Sequence, residues 1–329
     1  TLALIGAGIY SMFTVNLGSV PDITNNQVQV ITVSQNLGTE DLEQFVTFPV
    51  ELAMANLPGV TEIRSISRFG LSVVTIVFGD DMGTYLPRQL VQEKLVKVRQ
   101  QIPTHFGSPS LGPITTGLGE IYQYTLMPKP GYESTYSPTE LRTIQDWIVK
   151  RQLSGIPGVV EVNTWGGHLK QYEVAVNPNL LKSVGISITD IFAALENSNE
   201  NTGGAYIEKN TSTYYIRTNG IAQSLEEIGN IVVDVRSGRP ILIKDVATVQ
   251  FGKAPRYGAL VRDGEEAVGG RVMMLKGANS AAVTERVKER VIQIEKSLPE
   301  GVVIESYLVR DKLVSTAIGT VKTNLLEGG

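Results

Sequence analysis

The sequence contains no cysteine. Disulfides and thiolate metal sites are therefore excluded. The absence suits an oxidising compartment, where a free thiol is a hazard, although cytosolic proteins also lack cysteine. Histidine is nearly as scarce, with His105 and His168 the only two. An imidazole zinc site would need a second chain, so metal chemistry has to rest on carboxylates, carbonyls or methionine. No run of five or more Lys/Arg occurs and the net charge is −4, so nothing points to nucleic acid. Gly117-Leu118-Gly119 lacks the third glycine and the following helix of a dinucleotide fingerprint. No nucleophile–His–acid set assembles, which leaves an enzyme reading without a site.

The 329 residues are 42% hydrophobic and 19% charged. That is a globular composition, long enough for two or three domains with their own cores. Residues 1–17 (TLALIGAGIYSMFTVNL) carry no charge. As a helix they would span ~25 Å, and they read as the outer end of a truncated transmembrane helix. A buried core helix is the alternative; a signal peptide lacks its basic start here. Residues 310–326 read as a closing helix, and 309–329 as the start of a second membrane-helix region.

Residues 27–34 (QVQVITVS) alternate as a strand does. Thr39 then caps a helix with acids in its first turn, and Pro49 should kink it. Strands at 61–67 and 71–78, a helix from 84 to 101 and a strand near Ser110 complete a ferredoxin-like split βαβ order.

A second copy follows. A strand at 121–127 leads to Ser137-Pro138-Thr139-Glu140, a strong helix start. The helix stop Ile156-Pro157-Gly158-Val159 repeats Leu57-Pro58-Gly59-Val60, an internal repeat of about 100 residues. The rest of this copy is displaced to a hairpin at 259–275 and an amphipathic helix at 280–297, with Val283, Val287, Val291, Ile294 and Leu298 on one face. Between them lies a small α+β domain with a strand at 172–176, helices opening at Ser187 and Ser224, a hairpin after Gly203-Gly204, and a last strand at 240–249. The expected fold is α+β: two ferredoxin-like βαβ subdomains, the second one split, with an inserted α+β subdomain.

The ordered motifs carry a resemblance. They run from Val20-Pro21-Asp22 and Gln27-Val28-Gln29-Val30 through Leu57-Pro58-Gly59-Val60, Arg64, Phe69-Gly70 and Gly112-Pro113. Thr116-Gly117-Leu118-Gly119-Glu120-Ile121-Tyr122, Gln145-Asp146-Trp147 and Ile156-Pro157-Gly158-Val159 follow, then Gly166-Gly167, Tyr172 and Gly185-Ile186-Ser187. Gly203-Gly204, Asp245-Val246-Ala247, Gly269-Gly270 and Leu298-Pro299-Glu300-Gly301-Val302 complete the set. Each fragment is weak alone; the ordered set is specific. The chain resembles the N-terminal periplasmic portion of heavy-metal efflux pumps (cobalt–zinc–cadmium or copper–silver type) of the resistance–nodulation–division superfamily.

The resemblance implies a first transmembrane-helix end at 1–24 and a first pore subdomain at 25–115. It implies a second pore subdomain at 116–164 and 255–308, and a docking subdomain at 165–254. It implies a homotrimer in the bacterial inner membrane, with this segment mostly in the periplasm. That trimer would work with a periplasmic adaptor protein and an outer-membrane channel, exchanging protons for exported metal ions. It implies no permanently bound cofactor, with a divalent metal ion as cargo. Two departures from copper–silver members point to the cobalt–zinc–cadmium type: Glu120 replaces an aromatic, and Pro255 replaces a methionine, which matters because thioethers suit Cu(I) and Ag(I) while carboxylates suit harder divalent ions.

Glu120 is the candidate metal ligand, against a solvated loop acid. Arg64 matches a charged cleft position, against an exposed strand arginine in a surface pair worth ~0–1 kcal/mol. His105 and His168 have no partner at a ligand spacing. Asp80-Asp81 reads as a cap, and Met273-Met274 as strand packing. Two other readings stay open: a drug-exporting relative with an apolar pocket, and a periplasmic docking module with no transport activity alone.

Overall fold

In the computed structural model, the structure describes residues 22–34, 37–201, 203–209, 212–217, 220–236, 238–256 and 258–310, with isolated positions 6, 10, 319, 320, 323, 324 and 327. The expected membrane helix at 1–17 and the closing helix at 310–326 fall almost wholly outside these residues. Among the described residues no helix is long and apolar enough to cross a membrane.

The elements run in chain order as β1 (Gln27–Val33), α1 (Thr39–Leu42), α2 (Phe48–Met54), β2 (Val60–Arg68), β3 (Leu71–Phe78), α3 (Tyr85–Gln101) and β4 (Ser110–Leu111). Then come β5 (Glu120–Pro128), α4 (Pro138–Ile144), α5 (Lys150–Leu153), β6 (Val159–Trp165), β7 (Lys170–Val176), α6 (Pro178–Val184) and α7 (Ile188–Asn197). After β8 (Gly203–Lys209) and β9 (Ser212–Arg217) follow α8 (Leu225–Gly229), β10 (Val232–Arg236), β11 (Arg239–Leu242), α9 (Ile243–Val246) and β12 (Ala247–Lys253). The chain continues with β13 (Leu260–Arg262), β14 (Glu265–Met274), α10 (Ser280–Glu295) and β15 (Val302–Val309).

The chain divides into two compact units. One comprises residues 1–130, 145–165 and 269–329; the other comprises 131–144 and 166–268.

The first unit holds two sheets of the same design. Strands order as β4-β1-β3-β2 in one and β15-β5-β14-β6 in the other, where β13 pairs with β14 as a fifth strand. Reading each set of four in chain order, both are 4-1-3-2, the ferredoxin-like arrangement. The alternation read in β1 is real: Val28, Val30 and Thr32 are buried while their neighbours are not. Val28 and Val30 meet Leu42, Val46, Val50 and Met54 from the helical run and Leu95 and Val98 from α3 in one core. Each such aliphatic side chain contributes about 1.5–3 kcal/mol by leaving water. In the second sheet Ile121, Leu126, Val162, Val272 and Ile304 are buried, as are Val283, Val287, Val291 and Ile294 of α10. Helix α10 lies against α5, β5 and β15, so the displaced helix belongs with the second copy.

Both helical runs contain a π turn, at Glu43–Thr47 and Gln145–Val149. In the first, the Phe48 N–H reaches back to the Glu43 carbonyl. The disruption expected at Pro49 thus takes the form of a widened turn just before the proline, which has no N–H to give. The repeated Pro-Gly stops have a backbone cause. Gly59 and Gly158 both sit at positive φ (77° and 92°), and a Cβ would strike Met82 or Val283 respectively.

In the second unit, β7 and β12 form an antiparallel ribbon with Val176 opposite Ala247 and Lys170 opposite Lys253. Leu181, Ile186, Ile191 and Val246 form one buried group; Ala194, Ile231, Ile243 and Ala247 form another. The single strand expected at 240–249 is instead β11, a helical turn and β12. The cause is local: the Asp245 carboxylate accepts from the Leu242 N–H at 2.8 Å, closing a turn that buries Ile243 and Val246. Helix α6 also escaped the sequence reading, although Asn177 caps its start and the C-cap Gly185 is left-handed.

Candidate functional site

Glu120 is the first residue of β5 rather than a loop residue. Residues Gly117-Leu118-Gly119 bring the chain into the strand, and the Gly119 carbonyl accepts from Met274 N at 2.7 Å. This ties the β5 entry to the end of β14. Glu120 lines a cavity of about 220 Å³ together with Gly117, Gln123, Leu308, Val309 and Arg310.

Both carboxylate oxygens are engaged. Oε2 accepts from Gln123 Nε2 at 2.7 Å, and Oε1 accepts from Arg271 Nη1. The Glu120 and Arg271 side chains are 31% and 25% exposed, so the ion pair is shielded more than a surface pair and less than a core one. The Arg271 guanidinium lies 4.6 Å from the Trp165 ring centroid. Its Nε is buried without a hydrogen-bond partner among the described residues. Arg310 donates to the carbonyls of Leu118 and Glu120. Burial raises the Tyr307 phenol above its usual value; Arg271 opposes that rise and Glu120 adds to it. One carboxylate therefore stands among two guanidinium groups, an amide and a phenol.

The other sequence candidates lie elsewhere. Arg64 is 55% exposed on β2, 4.0 Å from Glu62 and 3.3 Å from the Gln27 amide oxygen. His105 stacks edge-on against Phe106 with ring centroids 4.2 Å apart. The His168 Nδ1 is buried without a hydrogen-bond partner among the described residues. Asp80 and Asp81 open a single 3-10 turn. Met273 is buried and Met274 half-buried, as strand packing requires. Pro255 is exposed after β12. Among the described residues no group of three or more His, Cys, Asp or Glu is placed to hold a metal ion.

Sequence reasoning missed Arg271, Trp165 and Gln123. Only one of these left a trace: an arginine inside the otherwise uncharged stretch Ala267–Leu275.

The paired 4-1-3-2 sheets, one interrupted by an α+β insertion, define a duplicated α+β class of fold. Over residues 1–329 the sequence matches the AcrB/AcrD/AcrF family, and the chain belongs to that family, within the resistance–nodulation–division superfamily. Its resemblance is to the heavy-metal branch. It is 45% identical over 329 residues to the cation efflux system protein CzcA of Alcaligenes sp. strain CT14, covering 99% of this chain and 31% of that protein. It is 44% identical, with the same coverage, to the cobalt-zinc-cadmium resistance protein CzcA of Cupriavidus metallidurans. Identity to the cation efflux system protein CusA of Escherichia coli K12 is 35%, over 99% of this chain and 32% of that one. A crystal structure of a heavy metal efflux pump superposes with a TM-score of 0.89 at 34% identity, covering 99% of this chain and 33% of the pump. The chain thus spans about a third of the length of the relatives it matches. Those relatives are named for cation efflux and metal resistance, not for catalysis.

Proposed function

We propose that the chain is the periplasmic part of the N-terminal half of an inner-membrane pump that exports divalent heavy-metal cations of the zinc, cobalt or cadmium type. The pump would be a homotrimer driven by protons, joined by a periplasmic adaptor to an outer-membrane channel. The observation that carries this reading is the gradient of identity across the whole chain: 45% and 44% to the two CzcA proteins against 35% to CusA. The chemistry at the cavity agrees with it, because Glu120 offers a hard oxygen donor and the chain contains no thiolate. Glu120 would be one ligand of the transported ion, with the others supplied from outside these residues.

The test is resistance in a metal-sensitive bacterial host that carries the full-length gene. Tolerance of zinc, cobalt or cadmium without tolerance of silver or copper supports the reading. The reverse selectivity, or protection against organic drugs alone, overturns it.

A further inference from the structure

Glu120 and Arg271 are 151 residues apart in the chain and lie on neighbouring strands, β5 and β14. Their pairing means that the carboxylate of this cavity-lining residue already holds a cation. Gln123 occupies its other oxygen from three residues along the same strand. Arg310 adds fixed positive charge to the same wall while donating to two backbone carbonyls. With Arg271 in place, an incoming metal ion meets a neutralised carboxylate and a second guanidinium. A cation site at Glu120 therefore needs Arg271 to leave.

The surroundings of Arg271 suit such a departure. Its guanidinium grips Glu120 through Nη1, while Nε is buried with no partner among the described residues. A buried unpaired donor is a cost that a purely structural ion pair has no reason to carry. The guanidinium carbon is 4.6 Å from the Trp165 ring centroid, and an aromatic face holds a guanidinium without needing a carboxylate.

We infer that Arg271 is a resident counter-cation of Glu120, which a divalent metal ion must displace before Glu120 can act as a ligand, with Trp165 retaining the displaced guanidinium. Arg271 then sets both affinity and selectivity. At equal distance a dication gains twice the Coulomb attraction of a monovalent ion from the same carboxylate, so the resident charge penalises monovalent cargo more. The inference rests on the reading of Glu120 as a ligand.

The experiment is calorimetric titration of the purified full-length pump with zinc chloride, for the wild type, R271Q, R271K, E120Q and the E120Q/R271Q double variant. The expected result is that R271Q binds zinc about tenfold more tightly than wild type, that charge being only partly screened. R271K should stay near wild type, and the double variant should lose the gain. If E120Q weakens binding but R271Q does not strengthen it, the counter-cation role is overturned while Glu120 remains a ligand. If neither the wild type nor R271Q binds zinc, both readings fall. A second measurement does not depend on the folding of R271Q. In the full-length pump, comparison with a W165F variant isolates the Trp165 emission, and zinc should change that emission as the guanidinium shifts over the ring. E120Q should abolish that change; a zinc-saturated wild-type site with unchanged Trp165 emission contradicts the displacement.

Discussion

Tyr124 and Gln145 form a closed polar pair in the core of the second sheet. The phenol donates to Gln145 Oε1 at 3.0 Å and accepts from Gln145 Nε2 at 2.9 Å. Both side chains are inaccessible to solvent. Burial holds the phenol well above its usual pKa, so it stays a donor throughout the working pH range. Gln145 opens the π turn between α4 and α5, and the pair pins that turn to β5. Tyr124→Phe keeps the ring and orphans the amide, which should cost about 1–3 kcal/mol. Urea unfolding measures it. A variant as stable as wild type would mean that another partner satisfies Gln145.

Gly270 lies directly against the same ring. A Cβ at this position would overlap the Tyr124 phenol, and the ring cannot retreat because its hydroxyl is held by Gln145. Gly270→Ala should therefore destabilise by about 1–3 kcal/mol, as overpacking does. At Gly117 no heavy atom lies within 4 Å of an added Cβ and the backbone is not left-handed. Gly117→Ala should leave the unfolding midpoint nearly unchanged. Equal effects at the two glycines would show that the ring can shift.

Much of the scaffold was legible because it is written in short-range chemistry. The Pro-Gly repeat marked both helix stops, since each needs a left-handed residue. The spacing of Val283, Val287 and Val291 marked α10 as a core helix, which it is. The hidden parts depend on distant contacts. Nothing near Glu120 in the sequence announces Arg271, because β14 reaches β5 only after the inserted domain has been traversed. The break at Ile243–Val246 was hidden for another reason: its apolar residues fit a strand as well as a buried turn, and the Asp245 hydrogen bond decides between them.

The inserted domain offers a test of pH dependence. Asp190 accepts hydrogen bonds from the Ser187 backbone and side chain at 2.8 and 2.7 Å. The backbone bond foremost, then the hydroxyl, holds its carboxyl below the usual value. A lowered folded-state pKa contributes stability above the unfolded-state value, and this is lost as pH falls through the folded-state value. Asp190→Asn should thus be less stable than wild type at neutral pH, and the gap should close on acidification below the ordinary carboxylate range. Thermal midpoints across pH report this directly; a gap that widens in acid would contradict it.

Arg64 provides the contrasting case. Its two contacts are exposed and long, at 4.0 and 3.3 Å, and water competes for both. Arg64→Ala should change stability by less than about 0.5 kcal/mol. Denaturant unfolding settles it, and a loss above about 1 kcal/mol would reveal a packing role for the side chain's aliphatic stem.

In the proposed pump the carboxylate of Glu120 helps to hold the divalent ion. The most direct measurement is the metal content of the full-length protein after exposure to a mixture of zinc, cobalt, cadmium, silver and copper(I), for wild type and Glu120→Gln. The substitution keeps the shape and removes the charge that offsets dehydration of the ion. The wild type should retain divalent ions and the variant should clearly lose them, with expression unchanged. Preferential retention of silver or copper(I), with no difference between the two proteins, would contradict that role.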